Sequence, residues 1–156
     1  PSHITVATAA SHRSILWYKK AFELNPEAVW RFGIDGLPEE SCLYRINQDG
    51  EKLFEVMKMG VSMGIKVEWQ YIVFSYNENH VEQAKKMALD NHILFLIMYS
   101  SRWSGEDDPY QPTNSENYIS NKYFSRTGYN KRNKLKNSYY AEEVWLNSSS
   151  LGPWAW

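Results

Sequence analysis

The chain has 156 residues, a 43% apolar fraction and a formal net charge of −1. That is enough for one domain with a real core, and the apolar fraction argues against wholesale disorder. The near-zero charge gives no global field toward nucleic acid or anionic membrane. A single cysteine, Cys42, can form neither an internal disulfide nor a structural zinc site, which fits a reducing, cytosolic setting. No apolar run reaches the ~18 residues of a membrane span, and no signal peptide is visible.

Residues 3–8 are short, apolar and β-branched, the composition of a buried strand. Ser11 to Ser14 offers helix caps, and Ile15, Tyr18 and Phe22 recur at helical spacing through residue 24. Asn25-Pro26 stops that helix. Residues 28–35 read as a second strand ending in a Gly36 turn. Asp49 is placed to cap a helix over about 50–63, with Gly64 as its C′ residue. Alternating apolar residues at 65, 67, 69, 71 and 73 mark a third strand. Asn79 and Glu82 resemble a capping box for a helix to about residue 90, and residues 93–99 form the fourth strand.

The order β-α-β-α-β-α-β predicts an α/β fold with right-handed crossovers and a parallel sheet over residues 1–103. From residue 104 to 156, Asn, Ser and Tyr account for 21 of 53 positions and no periodicity persists, which predicts a poorly structured tail. The opening and closing stretches read as a segment cut from something longer.

In parallel α/β sheets, ligands bind at the carboxyl ends of the strands. That rule selects Thr8 to Ser11, Asp35 to Leu37, Ser75 to Glu78, and Ser100 to Arg102. Each taken singly has a structural reading as well, because Ser11 and Asn77 are good caps and Asp35-Gly36 is a common turn. The four histidines have no metal spacing. Lys131, Arg132, Lys134 and Lys136 lie in a segment with six basic and six acidic residues, the balance of a solvated tail rather than a nucleic-acid site.

Phe32-Gly33-Ile34-Asp35-Gly36-Leu37, followed by Leu43-Tyr44-Arg45, resembles the fourth-strand motif of radical S-adenosylmethionine (SAM) proteins of the phage and marine-metagenome type. Trp69-Gln70-Tyr71-Ile72-Val73-Phe74 with Asn77-Glu78, and Ser100-Ser101-Arg102-Trp103, are similar to later segments of the same proteins. The similarity covers roughly residues 3–103. It implies a partial β/α barrel in which these four strands are the third to sixth of six.

The family's cofactors are SAM and a [4Fe–4S] cluster held by C-x-x-x-C-x-x-C. The resemblance implies cofactor-facing positions at Thr8, Ser11, Asp35, Gly36, Arg45, Asn77, Ser100 and Arg102, with Asp35 near the SAM ribose or the substrate. The departures are specific. The cluster cysteines are absent, the usual Asn-Gly is Ala9-Ala10, and the serine before Ile34 is Gly33. The expectation is a fragment, or a split or degenerate form, of a radical SAM enzyme, inactive alone and partnered by the missing front half of the barrel. Its location would be cytoplasmic, in the host cell if the source is a phage. An open sheet edge would favour self-association. The alternatives are a non-catalytic α/β interaction module and an unrelated nucleotide- or phosphate-binding enzyme; the absence of a Gly-rich phosphate loop counts against the second.

Overall fold

The computed structural model describes residues 4–100, 103–104 and 107–117. Its elements run in order β1 (Thr5–Thr8), α1 (Ile15–Leu24), β2 (Val29–Gly33), α2 (Gly50–Ser62), β3 (Lys66–Ile72), α3 (Val81–Asp90) and β4 (Leu94–Met98), with short 3₁₀ turns at Ser41–Leu43 and Ser115–Asn117. The four strands form one sheet in the order β1-β2-β3-β4, and every pairing is parallel.

Period-two burial sets the orientation of each strand. Trp30 and Phe32 of β2 lie in register with Val67 and Trp69 of β3, and Trp69 and Tyr71 with Phe95 and Ile97 of β4. All of these side chains are buried, and they share one core with Tyr18 and Phe22 of α1, Phe54 and Met57 of α2, and Ala84 and Ala88 of α3. The three helices therefore cover the same face of the sheet. Each fully buried large side chain contributes roughly 1.5–3 kcal/mol to that arrangement. Perpendicular ring contacts, such as Phe22 against Trp30 at 5.0 Å, add directional packing.

The opposite face is only half covered. It carries Thr5 and Ala7, then Val29 and Arg31, then Lys66, Glu68 and Gln70, and finally Leu94, Leu96 and Met98, none of them buried. Arg31 Nε donates to Glu68 Oε2 across this face at 2.6 Å.

Helix starts follow side-chain capping in two cases. Ser14 accepts from the Trp17 N–H, and Asp49 accepts from the Lys52 N–H. Gly64, with φ of +79°, ends α2 as a left-handed residue. The capping box at Asn79 does not form. His80 is the N-cap of α3 without a side-chain hydrogen bond to its first turn. Strands are shorter than the apolar runs suggest, because Ile65, Val73 and Ile93 are buried just beyond the ladder.

No helix among the described residues is long and apolar enough to cross a membrane. Residues 107–117 lie in the stretch with no sequence periodicity, and they fold against the sheet's carboxyl edge. Ser75 donates through N–H to Tyr110 O at 3.0 Å and through Oγ to Pro109 O at 2.6 Å. The Glu78 carboxylate accepts from the Thr113 N–H and hydroxyl, the Asn114 N–H and the Asn117 amide.

Candidate functional site

The carboxyl ends of β2 and β3 meet at Asp35, whose side chain is fully buried. Asp35 Oδ2 accepts from Arg45 Nε at 2.6 Å, and Oδ1 accepts from the Ile72 N–H at 3.0 Å. The carboxylate thus joins the β2 end, the loop before α2 and the β3 end. Burial raises its pKa above the ordinary value, while the Arg45 charge and the two hydrogen bonds oppose that shift. The Asp35 backbone carbonyl accepts from Tyr76 Oη at 2.7 Å, and burial pushes the Tyr76 hydroxyl well above its usual range.

Arg45 reaches Asp35 by passing over Gly33. A Cβ at position 33 would lie 3.0 Å from Arg45 Nη2 and 3.3 Å from its Cζ. Gly33 shares the parity of Arg31, so the guanidinium lies on the half-covered face of the sheet. Its side chain keeps 28% of its surface exposed. The guanidinium thus combines an anchored Nε with partial solvent access.

Gly36, with φ of +114°, turns the chain beside Glu40 and the Tyr76 ring. Glu40 Oε2 accepts from the Leu37 N–H at 2.8 Å, and its Oε1 lies 2.6 Å from His80 Nδ1. Tyr44 packs on Phe74 at 4.2 Å and meets Tyr110 edge-on at 5.2 Å, so the docked segment extends an aromatic wall next to Arg45.

Thr8 and Ser11 form a separate cluster at the end of β1. Thr8 Oγ1 accepts from the Ala10 N–H at 3.2 Å, and Tyr18 Oη donates to Ala10 O at 2.8 Å. Ser11 Oγ accepts from the Asp49 N–H at 2.9 Å, and Lys52 Nζ donates to Ser11 O at 2.6 Å. These bonds tie the β1 loop to the start of α2. Gln48, which sequence reading passed over, completes the tie. Its amide donates to Ala9 O at 3.1 Å and to Gly33 O at 3.0 Å, while Ser41 donates to its oxygen.

Asn77 closes its own turn. Its Oδ1 accepts from the Phe74 N–H at 2.8 Å, its Nδ2 donates to Ile72 O at 3.0 Å, and its carbonyl accepts from Tyr71 Oη at 2.7 Å. Ser100 follows β4 at the same edge and is half-buried. Arg102 lies outside the described residues. Asp35, Gly36 and Arg45 thus come together, whereas Thr8, Ser11 and Asn77 are each engaged in holding loop backbone.

The implied cofactors meet this geometry unequally. Three cluster thiolates cannot come from a chain with one cysteine, and Cys42 Sγ is committed to a contact with Glu39 O at 3.6 Å in an exposed turn. The [4Fe–4S] cluster does not fit this chain. For SAM, the buried Asp35 carboxylate is occupied and has no exposed surface for a ribose, but Arg45 and the Tyr44 ring are accessible. No protein-family model matches the chain, and no curated protein or solved structure matches it either.

Proposed function

We propose that this chain is the later-strand wall of a β/α barrel of the radical SAM type. It presents a binding edge for SAM or substrate and leaves iron–sulfur chemistry to cysteines carried elsewhere. The observation that supports this most is the pairing of a sequential parallel sheet, helix-covered on one face among the described residues, with an arginine laid over Gly33 on the other. A barrel lumen requires such an inner face: polar groups at the strand ends, approachable by a ligand. The lone exposed thiol suits a reducing, cytosolic compartment.

In this reading Asp35 does not touch ligand. It is a positioning residue that holds Arg45 Nε, so that the remaining guanidinium N–H groups face the open side and donate to a ligand carboxylate. Tyr44 offers a flat, half-exposed surface for an adenine-like ring.

Titration of the chain with S-adenosylhomocysteine, followed by backbone amide NMR, tests this assignment. Saturable shifts are expected at Gly33, Asp35, Gly36 and Arg45. A hydrogen bond to a charged group contributes about 1.5–3 kcal/mol, so loss of Arg45 should weaken binding at least about tenfold. The variant to use is Asp35→Asn with Arg45→Gln, which removes both charges together and leaves no buried ion unpaired. Shifts located elsewhere, or unchanged affinity in the double variant, would overturn the reading.

A further inference from the structure

Among the described residues, the helix layer and the strand layer both end without a neighbouring element on the β1 side. Along α1, Trp17, Ala21 and Leu24 recur at i, i+4 and i+7; Trp17 is 44% exposed and Leu24 71%. The buried partners of α1 are Tyr18 and Phe22, and Phe22 faces α2, where a Cβ on Gly60 would lie 3.2 Å from its ring. By the 3.6-residue period the Trp17 stripe falls on the flank away from α2. With the sheet order β1-β2-β3-β4, that flank lies toward β1. There β1 has a strand neighbour on one side only among the described residues, and Ile4 is 60% exposed.

The border of the stripe is basic. Arg13 Cζ sits 5.1 Å from the Trp17 ring centroid, and Lys20, three residues beyond Trp17, is exposed. A second copy laid on the stripe would set one basic border against another, which like-charge repulsion opposes.

We infer that the α1 stripe receives an amphipathic helix with an acidic border, belonging to a βα unit that also adds a strand to β1. This inference rests on the barrel reading and names the chemistry of the segment that would complete it. The apolar seam would bury Trp17 and Leu24, while the acidic border would meet Arg13 and Lys20. Charge therefore selects the partner, and the apolar seam supplies the burial.

The test uses the full chain, isotope-labelled, and two synthetic helical peptides with the same leucine stripe, one bordered by Glu and one by Lys. The Glu-bordered peptide is expected to cause saturable amide shifts confined to residues 4–8 and 13–24. The Lys-bordered peptide should bind at least about tenfold more weakly, because like charges would face each other across the seam. Leu24→Ser, at an exposed position outside the core, should abolish the shifts and leave the rest of the spectrum unchanged. Equal affinity for both peptides, shifts elsewhere, or no binding would overturn the inference. So would a dimer that Leu24→Ser dissociates, or binding to phosphatidylserine vesicles that the same substitution removes. None of these outcomes alters the Arg45 titration, so the two proposals fail separately.

Discussion

Gly50 opens α2 in a space that admits no side chain: a Cβ there would sit 2.1 Å from Pro38 O and 2.9 Å from Ser41 Cβ. The first of these atoms is backbone, so the clash cannot be relieved by a rotamer change. Gly50→Ala should therefore cost about 1–3 kcal/mol by overpacking, read as a lower denaturation midpoint in chemical unfolding. An unchanged midpoint would show that the loop before α2 yields freely. The same loop holds Gln48 and Arg45, so a displaced Pro38 would also loosen the clamp on Gly33 O and the bond to Asp35. Glycine is required here by contact rather than by backbone angle.

The docked segment 107–117 is held at Glu78 and Ser75, and Glu78 makes it sensitive to acid. Partial burial works to raise the Glu78 pKa, but the hydrogen bonds from Thr113, Asn114 and Asn117 outweigh it and hold the value below normal. The latch is thus fully present above the ordinary carboxylate range and is lost as pH falls through the lowered value. Amide exchange at Thr113 and Asn114, corrected for intrinsic rates, should lose protection in that acid window. Glu78→Gln should lose part of it already at neutral pH; equal protection in variant and wild type would assign the docking to Ser75 alone.

Legibility in the sequence followed the kind of force involved. Alternation at 65, 67, 69, 71 and 73 marks β3 because burial on one face imposes it. The segment 107–117 has no such pattern, since side-chain and backbone hydrogen bonds hold it, and these leave no period. The Asn79 capping box failed for a related reason: Asn77 closes the turn first, through Phe74 N–H and Ile72 O, and α3 then begins at Val81. Asp35 and Arg45 were visible as a motif. Gln48 was not, because its partners, Ala9 and Gly33, are remote in sequence.

At the scale of the whole molecule, the described residues leave one sheet face half-covered and one helix flank exposed. The full sequence carries a single cysteine. Iron–sulfide reconstitution of the chain alone should give no four-iron cluster by iron content or charge-transfer absorbance, because a single thiol cannot supply the three thiolates such a cluster needs. Stoichiometric uptake would overturn the division of labour proposed for the barrel.

The crossing of Arg45 over Gly33 makes positions 33 and 45 a compensating pair. A side chain added at 33 would have to displace the guanidinium from its place, and a shorter residue at 45 would leave a vacancy that 33 could refill. A serine at 33 and the present path of the Arg45 side chain would draw on one volume, so Gly33→Ser could keep Arg45 only with the guanidinium routed elsewhere. One glycine thus sets the path of an arginine twelve positions downstream.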